Sequence, residues 1–331
     1  MRHPQLVPSL LAILAGAAFL SYCTRSGSPA VEPRCDVRSY PAETTELNLG
    51  GCALEALPDQ IIRFSNLKKL GERGSVPRSI SRLLHLRMLS FKGCKLSSVG
   101  KLPRSLVWLI LTGNQLTEMP KQIENLSRVR KLMLSNNKLV SLPNSMKKLR
   151  ELELLRIANN NLREIPQWLF DLPKLSWLAI SGNPAVAPAP LRDSLVDVQY
   201  SDVTFGERLG EGTSSVVVRA EWRGQTVAAK MYKSDLSSDG RNIDEIRASC
   251  AVDHPNILRF LGYYTSPYLG ALLEWTPNVK SLGKPPSMES VTRDTYPDGV
   301  TFSSDFITRL AISIARAAAH LHATGLSHGD L

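Results

Sequence analysis

LVWLILTGNQLTEMP at residues 106–120, VRKLMLSNNKLVSLP at 129–143 and LELLRIANNNLREIP at 152–166 are three settings of one pattern, and LSWLAISGNP at 175–184 opens a fourth. Leu109, Leu132, Leu155 and Leu178 recur every 23 residues, and Asn114, Asn137, Asn160 and Asn183 keep the same step. A fixed period of this length marks a stack of small units, none of which buries enough surface alone. In each unit a short strand turns two leucines inward, Leu109 and Leu111 for example, while alternate residues face out. The amide of the Asn can bond backbone groups that the following turn would leave without partners. The Pro stops the extended run, and the return segment, such as KQIENLSRVR at 121–130, is expected to be a short helix.

The pattern LxxLxLxxNxLxxLP resembles that of leucine-rich repeats, an α/β solenoid. Working toward the amino end, TELNLGGCALEALP puts Cys52, and LRMLSFKGCKLSSV puts Cys94, in the Asn slot. A structural thiol at each favours a reducing compartment. The register slips once: Leu70 to Leu89 is 19 residues and Leu89 to Leu109 is 20, so residues 67–80 are read as a shortened, locally irregular repeat. The array is expected over 44–185. Two rows of outward side chains follow from the frame: Met88, Trp108, Lys131, Leu154 and Trp177, then Ser90, Ile110, Met133, Arg156 and Ala179. Trp108, Trp177, Met133 and Arg156 are residue types that dominate protein-binding hot spots, so a protein partner is expected on this concave face. The bland alternative is that they pack on one another.

The 331 residues suggest about two domains, and the apolar and charged fractions of 43% and 21% are those of a globular chain. The net charge of +10 is spread through the repeats with no long basic block, so no nucleic-acid partner is expected. None of the five cysteines has CxxC spacing, which argues against a zinc site, and no metal-ligating set is assigned. Residues 1–43 form a lead-in whose stretch from 5 to 24 carries no charge. A membrane anchor, a cleavable signal and a soluble buried helix all fit it. The basic residues Arg25, Arg34 and Arg38 behind it favour a cytoplasmic-facing, membrane-anchored chain among these. The segment NPAVAPAPLRDSLVD at 183–197 leads out of the repeats into a linker assigned to 186–202.

From residue 203 the text changes. FGERLGEGTSSVVVRAEWRGQTVAAKMY at 205–232 reads as strand, Gly-rich turn, strand, turn, strand, with Gly210, Gly212, Ser215 and Val217 in a GxGxxSxV arrangement and Lys230 in VAAK. This half resembles the small lobe of protein kinases. The resemblance implies that Leu209, Gly210, Glu211 and Gly212 bring backbone close to ATP phosphates, that Val217 covers the adenine, and that Lys230 meets the α- and β-phosphates. Glu245, with Asp244 as runner-up, would orient Lys230 from a helix over 243–251. HPNIL at 254–258 links that helix to the next strand. In ALLEWTP, Leu273 would gate the adenine pocket, and the backbone from Glu274 to Thr276 would meet the purine edge. FSSDFITRLAISIARAAAHLHATGL at 302–326 has the apolar spacing of a buried helix opening the large lobe. In SHGDL, His328 holds the loop and Asp330 accepts the proton of the substrate hydroxyl, while Gly329 replaces the Arg usual there.

The two halves together, with the segment SDG ahead of the helix and the insert PPSMESVTRDTYPDG at 285–299, resemble the leucine-rich-repeat serine/threonine protein kinases of bacteria and some microbial eukaryotes. The fold expected is thus a repeat solenoid followed by an α+β kinase small lobe and the start of the large lobe, over 203–331. The resemblance implies phosphoryl transfer from ATP to Ser or Thr, with Mg2+ whose principal ligands would lie beyond Leu331. On that ground the chain as written is expected to be inactive. The competing expectation is a non-catalytic binding module with a remnant kinase lobe.

Overall fold

The computed structural model describes residues 36–49, 58–71, 76, 78–119, 121–187, 196–212, 214–277, 282–283 and 295–326. They form two compact units. One holds the described residues up to Ala187 together with Ser238–Gly240, and the other holds the rest.

The first unit is a seven-stranded parallel sheet in sequence order: β1 (Glu46–Asn48), β2 (Lys69–Gly71), β3 (Met88–Ser90), β4 (Trp108–Ile110), β5 (Lys131–Met133), β6 (Leu154–Arg156) and β7 (Trp177–Ala179). Each strand has three residues, and the middle one is the repeating leucine: Leu70, Leu89, Leu109, Leu132, Leu155 and Leu178 are successive lateral partners. The expected irregular repeat keeps its strand, because Leu70 pairs with both Leu47 and Leu89. The shortening therefore falls outside β2. The returns are single 3-10 turns, for example Lys121–Asn125 and Asn144–Lys148, each ending in a buried apolar stitch such as Leu126 or Leu149.

The Asn column explains why the period is strict. Asn114 Oδ1 accepts from the amides of Cys94 (3.1 Å) and Leu96 (2.9 Å), and its Nδ2 donates to the carbonyls of Phe91 and Leu111, both at 2.8 Å. Asn137 repeats this one turn on, accepting from Leu116 and donating to Leu111 and Leu134. Asn160 and Asn183 do the same. Each side chain joins the turn of its own unit to that of the preceding one. Burying these backbone groups without partners would be costly, so the column holds the units in register. Cys94 stands in the slot with its thiol toward the Lys92 carbonyl at 3.6 Å; Cys52 lies outside the described residues.

Among the described residues the second unit is a five-stranded antiparallel sheet, ordered β11-β12-β10-β9-β8, with two α-helices. Its strands are β8 (Val203–Glu211), β9 (Ser215–Trp222), β10 (Gln225–Tyr232), β11 (Phe260–Tyr264) and β12 (Gly270–Glu274). Helix α1 (Asn242–Cys250) lies between β10 and β11 in sequence, and α2 (Ser304–Ala323) follows β12. One face of the sheet carries the core of Val218, Ala220, Trp222, Val227, Tyr264 and Leu272. Gly270 has to be glycine: a Cβ there would stand 2.1 Å from Cζ of Tyr264. Helix α2 begins at a Ser303 cap whose hydroxyl accepts from the Phe306 amide.

Two expectations need correction. Helix α2 was expected to be buried, yet Ala317 is its buried residue and Ile307 and Ile312 are exposed, because nothing among the described residues covers that face. The membrane-anchored, cytoplasmic-facing chain also finds no support: among the described residues no helix is long and apolar enough to cross a membrane. The segment at 5–24, on which that expectation rested, lies outside the described residues.

Candidate nucleotide site in the second unit

The strand alternation sorts β9 and β10 into two sets. Val218, Ala220, Val227 and Ala229 point into the core, so Val217, Ala228 and Lys230 emerge on the opposite face. The ladder sets these residues side by side. Gly210 on β8 pairs with Val217 on β9, Val217 with Lys230 on β10, and Lys230 with Ala271 on β12. Ala228 pairs with Leu273 in the next-but-one position. Gly210, Val217, Lys230 and the buried Leu273 thus line one face of one sheet.

The glycine hairpin is irregular where it needs to be. The β8–β9 register shifts between Phe205 and Arg208 and again between Arg208 and Gly210, the mark of bulges that bend a strand. The turn is closed by the Gly212 amide donating to the Ser215 carbonyl at 2.8 Å, and a Cβ on Gly210 would meet nothing within 4 Å. That side of Gly210 is open to a ligand. Leu209, an apolar side chain, is left 41% exposed beside it. Glu211 binds Lys233 and Arg208, and Lys233 also donates to the Gly212 carbonyl at 2.9 Å.

Lys230 is buried, with 8% of its side chain exposed, and it is ion-paired to Glu245 of α1. A buried ammonium keeps its charge only when paired, so the partner is a condition of the lysine's position. Asp244 turns elsewhere: Arg241 and Arg247 of its own helix region hold it at 2.8 and 3.4 Å. Tyr232 completes the cluster. Its ring centroid is 5.0 Å from Lys230 Nζ, and burial, then the charge and hydrogen bond of Glu245, push its phenol well above the usual tyrosine range. The sequence reading missed Tyr232 and Lys233. Their signal was available, since both lie within three residues of Lys230 on or just beyond β10.

At the far edge, Leu273 is 5% exposed. The amide of Glu274 is committed to the Arg259 carbonyl at 2.9 Å, and its carboxylate accepts from the Arg259 amide at 3.0 Å. Of the backbone groups expected from Glu274 to meet a purine, the amide is therefore spent. Thr276 is half-buried beyond the strand end. The His254 ring accepts from the Asn256 amide at 3.1 Å, which closes the turn of HPNIL ahead of β11. His328 and Asp330 lie outside the described residues. Among the described residues no group of three or more His, Cys, Asp or Glu could hold a metal ion.

Comparison with known proteins gives the same division. Residues 203–331 match the family described as protein kinase domain, and 104–162 and 127–184 match that described as leucine rich repeat. The chain joins a leucine-rich-repeat region to a kinase-like domain. It is similar to a "probable serine/threonine-protein kinase" of Dictyostelium discoideum, 27% identical over 147 residues, covering 43% of this chain and 11% of that protein. Another of that organism, pats1, is 37% identical over 152 residues, covering 40% of this chain and 4% of that protein. The serine/threonine-protein kinase CTR1 of Arabidopsis thaliana is 28% identical over 132 residues, covering 38% and 15%. This chain thus spans a small fraction of the length of each. The relatives are kinases of slime mould, plant and virus. They support a repeat region with a kinase-like domain similar to serine/threonine kinases, rather than the narrower bacterial and microbial family expected from the sequence.

Proposed function

We propose that the second unit binds ATP on the Gly210–Val217–Lys230 face and is built for phosphoryl transfer to a Ser or Thr hydroxyl, while the repeat region binds a protein. The observation that carries this is the lateral rung from Gly210 through Val217 to the paired Lys230. A side-chain-free position, an apolar cover and a fixed positive charge in a row suit a polyphosphate joined to a flat base. Ala228 leaves room for that base between Val217 and Leu273, and the exposed Leu209 gains a partner when it is present. Lys230 neutralises charge on the α- and β-phosphates, and Glu245 keeps its ammonium directed there. Glu211 and Gly212 shape the hairpin over the phosphates; the Glu274 carbonyl and Thr276 meet the purine edge.

Asp330 is assigned the proton of the acceptor hydroxyl. Mg2+ would supply further neutralisation of the phosphates. A protein partner on the concave face near Trp108, Met133, Arg156 and Trp177 would target the reaction. The test is thermal stability with ligands. ATP raises the midpoint of the second unit and AMP does so much less, Lys230→Met removes the difference, and Asp330→Ala preserves it. Equal shifts for ATP and AMP, or none, would leave the chain as a protein-binding module without nucleotide chemistry.

A further inference from the structure

The glycine hairpin is held from behind as well as along its ladder. Gly210 and Lys230 both pair with Val217, whereas Glu211 pairs with Val216 and Arg208 with Val218. Val216 and Val218 pack on the core side of the sheet, so Arg208 and Glu211 stand on the face away from Lys230. Lys233, two residues beyond the core-packed Met231, lies on that same reverse face. Its ammonium meets the Glu211 carboxylate and donates to the Gly212 carbonyl at 2.9 Å, and Glu211 also pairs with Arg208. The lysine starts from a fixed base. Its amide donates to the Ser214 carbonyl at 2.9 Å, and the carbonyl of Ser234 accepts from Asn242 Nδ2 of α1 at 2.6 Å. The Gly212 amide is already given to the Ser215 carbonyl, so both backbone groups of that glycine are engaged.

We infer that Lys233 is a positioning residue for the nucleotide: it clamps the glycine hairpin to the end of β10, the strand that carries Lys230. The inference rests on the proposed ATP site and adds to it what fixes the hairpin over the phosphates. Glycines at 210 and 212 let the backbone come close to a ligand, and they also leave it free to swing. The two register shifts in β8 interrupt the ladder there, so it restrains the tip weakly. A charge-assisted bond from Lys233 to the Gly212 carbonyl removes much of that freedom before ATP arrives, which lowers the entropy lost on binding. The clamp touches no nucleotide and acts through the Gly212 backbone. Helix α1 stands behind both contacts: Asn242 holds the base of Lys233, and Glu245 holds Lys230. Lys233 and Glu211 are 38% and 35% exposed, so the effect is modest.

The experiment compares the full chain with Lys233→Met and Lys233→Arg, by amide hydrogen exchange without nucleotide and by calorimetric titration with ATP and with adenosine. Met keeps the side chain's bulk and removes its charge. It should speed exchange in the hairpin and leave β11 and β12 as protected as in the parent. It should weaken ATP about three- to tenfold while adenosine changes by less than about twofold. Arg keeps the charge and the donors, and should restore most of the ATP affinity. A lysine that merely stabilised the sheet would, when lost, loosen β11 and β12 as well and weaken both ligands equally. That result, unchanged hairpin exchange or ATP affinity in Lys233→Met, or Arg no better than Met would overturn the inference and leave the ATP site standing. A parent chain that binds ATP no better than adenosine would overturn the ATP site and the clamp with it, so the two failures are distinguishable.

Discussion

Lys230 of β10 and Glu245 of α1 are ion-paired, with the lysine side chain 8% exposed and the glutamate 37%. The asymmetry matters: the ammonium is the desolvated member and depends on the carboxylate more than the carboxylate depends on it. Replacing Glu245 by Gln should therefore destabilise the second unit by about 1–3 kcal/mol, below the range for a fully buried pair because Glu245 is partly solvated. Replacing Lys230 by Met should cost less, since it removes the buried charge and leaves a carboxylate that water can reach. Urea unfolding of the two variants gives the order directly; the reverse order would contradict the assignment of the lysine as the buried partner.

The Asn column offers a second test. Asn137→Ala strips the Asn partner from the Leu116 amide and takes one of two amide donors from each of the Leu111 and Leu134 carbonyls, and should destabilise the repeats by about 1–3 kcal/mol. Asn137→Asp keeps the shape and the acceptor but loses both donors and sets a charge against two carbonyl oxygens. It should be no better than Ala. If Asp behaved like the parent, shape rather than the donated bonds would be what the column provides.

Close approach at Gly270 predicts a compensable defect. Gly270→Ala drives a methyl into the Tyr264 ring and should destabilise the second unit by about 2–3 kcal/mol or more. Tyr264→Ala makes a cavity and is destabilising alone. The double variant should be markedly less unstable than the sum of the two, and a double-mutant cycle in urea measures the coupling. Simple additivity would place the strain elsewhere.

Much of this was legible in the sequence, for a physical reason. The repeats announce themselves because the strand, the turn and the Asn recur at one period, and Leu109 to Leu178 pair laterally as that period requires. Gly210, Val217 and Lys230 were legible because strand alternation and short hairpins fix which residues can meet. What the sequence hid lies in long-range contacts. Nothing local marks Arg259 as the partner of Glu274, 15 residues away, so an amide already bonded read as one free to meet a purine. The exposure of Ile307 and Ile312 was hidden for the same kind of reason, because helical periodicity names an apolar face without saying what covers it.

The tyrosines of the second unit give a pH dependence with a definite sign. Burial, then Glu245, raises the Tyr232 phenol well above its ordinary value of 10.0, and burial with the Tyr200 hydrogen bond raises Tyr268 to about 12. In the unfolded chain both ionise near the ordinary value. Their contribution to stability is therefore complete below pH 10.0 and is lost as pH rises from there through the folded-state values. Urea unfolding followed between pH 9 and 12 should show a falling midpoint, and Tyr232→Phe should make the fall shallower. An unchanged slope would mean that Tyr232 is not held neutral by its surroundings.

The most direct test of the nucleotide site asks which lysine a bound ATP touches. An acyl-phosphate derivative of ATP transfers its acyl group to an amine lying beside the phosphates, and peptide mass spectrometry then identifies the lysine. Lys230 should be labelled ahead of the exposed lysines despite its burial; excess ATP should suppress that label, and Glu245→Gln should weaken it. Labelling confined to exposed lysines, with Lys230 untouched or its label indifferent to ATP, would contradict the account.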